Sequence, residues 1–248
     1  MPPSKAPVPE ISHKEALDIL KAYRRLLQSI PHALSREDLA LIHKAFKQAA
    51  EAHRHQRRRS GEPYIFHPIA VATIVATQMS LDATAIASAL LHDVVEDTDV
   101  TLEDIEREYG PTIARIIDGL TKISGISDSN VSVQAENFRK MLITISNDIR
   151  VILIKLADRL HNMQTMGAMI RQKQQKIASE TLYIYAPLAH RLGLYNIKTE
   201  MEDLSLKYTE PEAYENIVRL LRESDQAQKA YIARFIAEVK DMLYREDL

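Results

Sequence analysis

The sequence contains no cysteine, and it has only six glycines among its 248 residues. Without cysteine, the chain can form neither a disulfide nor a thiolate metal site, and it has no thiol nucleophile. This composition fits a reducing compartment, and we expect a cytoplasmic location. The glycines form no GxGxxG or GxxxxGK motif, the loops that bind phosphates in many nucleotide-binding proteins. A phosphate ligand would therefore have to be held by metal ions and cationic side chains.

Long apolar runs and a strong net charge are also absent. Hydrophobic residues make up 46% of the chain, charged residues 27%, and the formal net charge is −2. No uncharged apolar run approaches the roughly 18 residues that a membrane span requires. The segment 1–9 is too polar and too rich in proline to be a signal peptide. We therefore expect no membrane association and no general attraction to nucleic acid.

Apolar residues recur at helical spacing through most of the chain, whereas the alternation typical of strands is nearly absent. This pattern predicts an all-α protein. We expect residues 1–11 to be disordered, a loop over 124–133 and a helix over 135–145. The apolar spacing predicts a first helix from Ser12 to Leu27. Further helix starts are predicted from cap residues and from a proline at a first helical position: Ser35, Pro68, Thr101 and Asp148.

An acidic segment, Leu90 to Thr98, follows an alanine-rich run that is typical of a buried helix. On a continuous helix, His92 would stack on Glu96 and Asp93 on Asp97, because residues four apart share a face. So many anionic groups in a poorly solvated place are unfavourable unless a cation or hydrogen bonds compensate them. The segment is either a metal site or a solvated acidic helix end.

A second polar segment, Asp158 to Asn162, follows the strongly apolar stretch 151–154. Taken alone, Asp158 could pair with a neighbouring arginine. Two buried helices that each carry histidine and aspartate favour a shared metal instead. His67 offers a further nitrogen, although taken alone it is either a packed core histidine or a ligand. Imidazole and carboxylate ligands without sulfur suit Mn²⁺, Fe²⁺, Zn²⁺ or Co²⁺ better than Ca²⁺.

The basic run Arg54 to Arg59 permits three interpretations. It could be a solvated helix end, a nucleic-acid patch, or a binding segment for one anionic ligand beside the metal. No aromatic residue interleaves with the arginines, which disfavours nucleic acid. Arginine can stack on a base and bind phosphate in a bidentate manner, which suits a nucleotide.

The order His67, His92-Asp93 and Asp158 resembles the H…HD…D pattern of the HD-domain phosphohydrolases. More narrowly, several segments resemble the hydrolase domain of the Rel/SpoT alarmone family: Arg58 to Pro68, His92 to Thr98, Asp118 to Lys122, Ala135 to Met141, Lys155 to Met163 and Tyr185 to Gly193. The resemblance spans about residues 37–208. It implies an HD-domain helical bundle over 12–208 and a C-terminal helical extension over 209–248.

The resemblance also implies an activity, namely metal-dependent hydrolysis of guanosine tetra- and pentaphosphate at the 3′ position in stringent-response control. The products would be GDP or GTP and pyrophosphate, with one Mn²⁺ ion as cofactor. The metal ligands that it implies are His67, His92, Asp93 and Asp158, and the residues that activate and orient the attacking water are Glu96 and Asp97. The implied substrate-binding residues are Arg58 against the guanine, Arg59, Asn162 and Thr165 on the nucleotide, and Lys140 and Lys155 as phosphate or carboxylate partners.

Long members of the family continue into a synthetase domain, and we expect this chain to be a fragment or a hydrolase-only form that lacks synthesis. The last helix is expected to contact a downstream domain or another protomer. Two alternatives remain open at this point. One is a catalytically silent alarmone-binding module, and the other is an HD phosphohydrolase that acts on another nucleotide.

Overall fold

A computed structural model describes residues 11–124 and 148–245, and these ranges are built from α-helices. In chain order the helices are α1 (His13–Ser29), α2 (Arg36–Ala52), α3 (Phe66–Thr77), α4 (Ala83–Leu91), α5 (Val94–Asp97), α6 (Leu102–Ser124), α7 (Ile149–Thr165), α8 (Arg171–Glu180), α9 (Ala186–Arg191), α10 (Tyr195–Thr209) and α11 (Pro211–Arg245). A 3-10 turn, Met166–Ala168, follows α7, and a π-helical segment, Thr181–Tyr185, joins α8 to α9. The described ranges contain no strand, only an isolated bridge between Arg57 and Pro63. The prediction of an all-α fold is confirmed.

Local capping explains where several helices begin. The hydroxyl of Ser12 accepts a hydrogen bond from the backbone N–H of Glu15, and the Glu15 carboxylate accepts one from the backbone N–H of Ser12. Ser35 forms the same reciprocal pair with Asp38 at the start of α2. Asp148 caps α7. Such pairs satisfy backbone N–H groups that have no partner within the helix, and the helix starts predicted at these positions are confirmed.

The core lies where α3, α4 and α7 meet. Helices α3 and α4 are apolar on almost every face, which is the pattern of helices surrounded by other helices. Helix α3 packs against α1, α4 and α7, and α4 packs against α2, α3 and α6. The apolar stretch 151–154 of α7 is buried against them. Any polar side chain on the inner faces of these three helices is therefore carried into the interior.

The structure corrects the prediction of a continuous helix through the acidic segment. Helix α4 ends at Leu91 and α5 begins at Val94, so His92 and Asp93 form the turn between them. Asp93 has φ −100° and ψ −3°, and its carboxylate lies against His92 and the Tyr64 hydroxyl. The Asp93 carboxylate therefore interacts with these two interior groups and does not stack on the exposed Asp97 as predicted.

Two further helix boundaries depend on glycine and proline. Helix α3 begins at Phe66, which places Pro68 third in the helix and not first; proline is tolerated there because a first-turn amide has no helical partner. Helix α6 is broken at Gly110, whose φ of 81° suits glycine, and it resumes at Pro111. The predicted stop near Gly110 is thus confirmed as an interruption.

The last helix, α11, contacts α10 and leaves much of its length exposed, including Ile217, Leu221 and Phe235. The predicted disorder over 1–11 falls mostly outside the described residues, but Ile11 is described and packs against the core. The predicted loop over 124–133 also falls mostly outside them, but Ser124 is the last residue of α6. The predicted helix over 135–145 lies entirely outside the described residues. Among the described helices, none combines the length and the apolar character needed to cross a membrane.

Candidate functional site

Four polar side chains converge in the core where α3, α4 and α7 meet. His67 comes from the first turn of α3, His92 and Asp93 from the turn after α4, and Asp158 from the middle of α7. His67 and His92 are only 1% and 2% exposed. The four residues that the sequence assigned as metal ligands therefore lie together, although they are spread over 92 positions of the chain.

The distances among these groups are close to those of ligands that share one ion. Nε2 of His67 lies 3.3 Å from Oδ1 of Asp158 and 3.5 Å from Oδ2 of Asp93. Nε2 of His92 lies 3.0 Å from the same oxygen of Asp93 and 4.0 Å from Oδ1 of Asp158. Ligand atoms of His67, His92 and Asp93 all lie within 4.8 Å of one another. Nitrogen and oxygen ligands bind zinc at about 2.0–2.2 Å, so ligands on opposite sides of one ion lie about 4 Å apart.

The hydrogen bonding of His92 supports a metal at this place. Its Nδ1–H donates to the backbone carbonyl of Ala89 across 2.8 Å, so Nε2 is the ring nitrogen that faces the carboxylates and that a metal ion would bind in place of a proton. This Nε2 is buried and makes no hydrogen bond with any residue of the described ranges. Buried polar atoms are almost always paired, so a cation is the partner that the site lacks. Two imidazoles and two carboxylates fit a divalent first-row metal.

Burial and charge act in opposite directions on the pKa values of the cluster. Burial alone would lower the pKa of His92, but the carboxylates of Asp93 and Asp158 outweigh it and raise that pKa to about 9. For Asp93, burial would raise the pKa, but the positive charge of His92 lowers it below its usual range. The metal-free cluster thus holds a proton at His92, and a metal ion would have to displace that proton.

Three neighbours hold the two carboxylates in place. The Tyr64 hydroxyl donates to Oδ2 of Asp93 across 2.6 Å. Nζ of Lys155 lies 2.9 Å from Oδ2 of Asp158, and Nδ2 of Asn162 donates to Oδ1 of the same carboxylate across 2.5 Å. Lys155 is buried, which would lower its pKa, but the charge of Asp158 raises it above its usual value. Groups in such positions orient metal ligands and are as much part of a site as the ligands themselves.

A second cluster adjoins this centre on the outer half of α7. Nη2 of Arg58 donates to Oδ1 of Asn162 across 3.0 Å and to Oγ1 of Thr165 across 2.9 Å. These three residues, which the sequence assigned to substrate binding, are therefore in contact. Since Asn162 also contacts Asp158, the cluster lies directly beside the proposed metal ligands.

The remaining arginines of the basic run do not form one cationic surface. Arg54 pairs with Glu51 across 2.7 Å at an exposed position. Arg57 pairs with Glu15 across 2.7 Å. Arg59 is exposed and does not join the Arg58 cluster in the described contacts. The arginines therefore lie in separate places: Arg54 just after α2, Arg57 against α1 and Arg58 against α7. They do not form the continuous basic patch that nucleic acid requires.

The two acids assigned to water activation lie on the surface of α5. Glu96 and Asp97 are both exposed, three and four residues after the partly buried Asp93. The backbone carbonyl of Asp97 accepts a hydrogen bond of 2.6 Å from Nε2 of Gln56, which ties α5 to the segment after α2. Lys140, the other predicted phosphate partner, lies outside the described residues.

Tyr64 and His161 both contact proposed ligands, and neither is among the site residues predicted from the sequence. Nδ1 of His161 lies 2.7 Å from Nδ1 of His67. Burial, together with the neighbouring His67 and Arg58, lowers the pKa of His161 to about 3. The helical spacing did contain a signal for His161, because it follows Asp158 by three residues and must share its face. Tyr64 had no comparable signal.

The chain is similar in sequence to several known proteins over most of its length. A family model described as "HD domain" matches residues 45–195. A protein of Vibrio cholerae named guanosine-3′,5′-bis(diphosphate) 3′-pyrophosphohydrolase is 45% identical over 211 residues, which are 85% of this chain and 30% of that protein. A Haemophilus influenzae protein of the same name is 48% identical over 193 residues, or 77% of this chain and 28% of that protein.

A Streptomyces coelicolor protein named GTP pyrophosphokinase is 43% identical over 225 residues, which are 91% of this chain and 26% of that protein. The chain therefore spans about a quarter to a third of the length of these curated relatives. Among the solved structures that are similar to this chain, one has a TM-score of 0.52 and 26% identity, over 70% of this chain and 96% of the other. Its title states that a metazoan ortholog of SpoT hydrolyzes ppGpp and plays a role in starvation responses.

Proposed function

The chain belongs to the HD-domain family, within its Rel/SpoT group, and on this premise we propose that it hydrolyses the 3′-pyrophosphate of guanosine tetra- and pentaphosphate. HD domains are metal-dependent hydrolases. The observation that carries the proposal is the convergence of His67, His92, Asp93 and Asp158 around one buried point, beside the cluster of Arg58. The products are GDP or GTP and pyrophosphate.

The choice of hydrolysis over synthesis rests on how much of each relative is shared. The curated relatives carry names for both activities, but this chain spans 30% or less of the three compared. Their names could therefore refer to parts that the chain does not share. The solved metazoan structure is different, because 96% of it is covered by this chain and its title names ppGpp hydrolysis. This coverage supports hydrolysis as the activity of the shared part.

The proposed reaction adds water across a phosphoester bond. The water oxygen bonds to the phosphorus attached to the ribose 3′ oxygen, the bond between that phosphorus and the 3′ oxygen breaks, and pyrophosphate leaves. A bound divalent ion lowers the pKa of water and offsets charge on the attacked phosphate. Glu96 takes the proton of the water, Asp97 orients it, and the departing 3′ oxygen acquires a proton.

The substrate is held by the residues on the outer half of α7 and by the basic turn. Hydrogen bonds to Asn162 and Thr165 fix the orientation of the planar guanidinium of Arg58. Its flat face is therefore available for a guanine to stack on. Arg59 is exposed beside this position and supplies charge for a diphosphate. Lys155 acts as the carboxylate partner of Asp158, and Lys140 remains a proposed phosphate contact.

We propose Mn²⁺ as the ion, held by His67, His92, Asp93 and Asp158. We also propose that residues 12–208 form the hydrolase unit and 209–248 a helical extension that contacts a downstream domain or another protomer. The chain is proposed to act in the cytoplasm, without a membrane or a nucleic acid as partner.

The experiment that tests the function is a turnover assay on the purified chain. With Mn²⁺ and guanosine tetraphosphate we expect GDP and pyrophosphate in equal amounts, and no product after the metal is removed by a chelator. The Asp93→Ala variant should have no turnover. The control variant is Asp99→Asn, which changes an exposed aspartate in the same region and should leave turnover intact.

Two results would overturn this proposal in favour of the alternatives. Tight binding of guanosine tetraphosphate without GDP above the Asp93→Ala background would identify a silent binding module. Faster turnover of deoxynucleoside triphosphates or cyclic dinucleotides in competition would identify another substrate class.

A further inference from the structure

Both proposed histidine ligands use their second ring nitrogen for a hydrogen bond, but the two partners differ in kind. Nδ1 of His92 faces the backbone carbonyl of Ala89. A carbonyl oxygen can only accept, so this contact by itself keeps a proton on Nδ1 of His92 and leaves Nε2 as the nitrogen that faces the cation. Nδ1 of His67 lies instead 2.7 Å from Nδ1 of His161. An imidazole nitrogen can donate or accept, so this second contact does not by itself decide where the proton lies.

Two nitrogens at this distance must share one proton, because two N–H groups or two lone pairs would repel each other. If the proton belongs to His67, its Nε2 is bare and can bind a cation. If it belongs to His161, a neutral His67 carries its proton on Nε2, which faces carboxylate oxygens of Asp158 and Asp93 at 3.3 and 3.5 Å. Only the first arrangement allows His67 to act as a ligand.

We propose that His161 is a positioning residue that accepts the Nδ1 proton of His67 and so fixes the tautomer and orientation of that ring toward the cation. The packing of α3 against α7 builds this contact, and the two ring centroids lie 4.9 Å apart at 35°. His161 follows Asp158 by one helical turn, so the same helix supplies a ligand and the group that orients another ligand. The inference rests on the proposed metal centre and is independent of the proposed substrate.

The first test needs no variant. Ring nitrogens of histidine can be followed by ¹H–¹⁵N correlation spectra of the full chain loaded with Zn²⁺, which is diamagnetic. We expect Nδ1 of His67 to carry a proton and Nε2 to show the shift of a metal-bound nitrogen, while Nδ1 of His161 carries none. A loaded chain in which His161 is protonated on Nδ1, or His67 on Nε2, would overturn the proposal.

The second test measures Mn²⁺ affinity by titration calorimetry, without substrate. His161→Phe keeps a flat ring but removes the acceptor, and we expect 10- to 100-fold weaker binding, the range typical of lost outer-shell partners. His161→Gln offers an acceptor oxygen and should recover most of the affinity, which a purely structural role would not explain. Gln164→Ala, on the same helix but bonded to Glu200 at an exposed position, is the matched control.

The outcomes separate this role from the metal centre itself. A wild-type chain that binds no Mn²⁺ would overturn the centre and this role with it. Normal binding by the wild type with equal affinity in His161→Phe would overturn this role alone. If His161→Phe does not fold, as judged by circular dichroism, the spectra of the wild-type chain still decide the question.

Discussion

The hydroxyl of Tyr64 donates a hydrogen bond of 2.6 Å to Oδ2 of Asp93, the same oxygen that lies 3.0 Å from Nε2 of His92. Burial and the negative charge of Asp93 raise the pKa of Tyr64 well above its usual value. Tyr64 therefore stays protonated and remains a donor throughout the accessible pH range. It fixes the orientation of a carboxylate that the sequence assigns to the metal.

Replacement of Tyr64 by phenylalanine should remove this donor while it preserves the ring. Hydrogen bonds to charged groups contribute about 1.5–3 kcal/mol, so we expect the free energy of unfolding of the metal-free chain to fall by about 2 kcal/mol. Urea unfolding followed by circular dichroism measures it, and Tyr183→Phe, at a 76% exposed position, is the control. Equal loss in both variants would contradict a specific role for the bond.

Lys155 is expected to matter more for folding than exposed lysines do. Its ammonium group is buried against Asp158, and loss of one partner of a buried pair typically costs about 3–5 kcal/mol. Asn162 and His67 also contact Asp158, so we expect about 3 kcal/mol for Lys155→Met. The same change at Lys198, which pairs with Glu202 at a more exposed position, should cost less than about 1 kcal/mol.

The metal should partly correct the Lys155 variant. In the metal-free protein the substitution leaves Asp158 with an uncompensated charge, which a divalent ion can offset. We therefore expect Mn²⁺ to raise the melting temperature of Lys155→Met more than that of the wild type. A smaller rise in the variant would indicate that Lys155 supports the metal site mainly through packing.

Arg58 should affect substrate binding more than the chemical step. Lysine keeps the charge but loses the planar group that Asn162 and Thr165 hold in place, and it cannot stack on a base in the same way. We expect Arg58→Lys to raise KM for guanosine tetraphosphate by about tenfold, or about 1.4 kcal/mol, with little change in kcat. Arg54→Lys, in the exposed pair with Glu51, should leave both constants unchanged.

Much of the fold could be predicted from local patterns. Serine caps and acidic first turns mark the starts of α1 and α2, and the apolar character of α3, α4 and α7 predicts that they are central. The candidate ligands could be selected because Asp158 is a polar residue within such a helix and His92 and Asp93 directly follow another. These signals act over one or two helical turns, which is the range that sequence spacing describes.

The contacts that could not be predicted join distant parts of the chain. The break at His92 and Asp93 depends on Tyr64, 29 residues earlier, which satisfies the Asp93 carboxylate in the core. The pairing of His161 with His67 spans 94 residues and follows only once α3 packs against α7. Helical periodicity predicts which face of its helix a residue occupies, but it does not predict which other helix packs against that face.

The ion pair between Glu15 and Arg57 should make the stability of the fold depend on acidic pH. Nη1 of Arg57 donates to Oε1 of Glu15 across 2.7 Å and also to the carbonyl of Gly61 across 2.9 Å, so α1 is tied to the turn that carries Arg58. The hydrogen bonds from Arg57 and from Ser12 lower the pKa of Glu15 from its ordinary value of 4.5 to about 2.

Because the pKa of Glu15 is lower in the folded chain than in the unfolded chain, the pair stabilises the fold fully only above pH 4.5. Its contribution should decline as the pH falls from 4.5 toward 2, and it is lost as the pH falls through 2, because the carboxylate is then protonated in both states. Glu15→Gln should therefore be less stable than the wild type at pH 7, and the difference should disappear near pH 2. Unfolding curves for both chains across this range measure the difference, with Glu37→Gln, at an exposed position on α2, as the control. A difference between the wild type and Glu15→Gln that stayed constant down to pH 2 would mean that the glutamate acts through its shape and not through its charge.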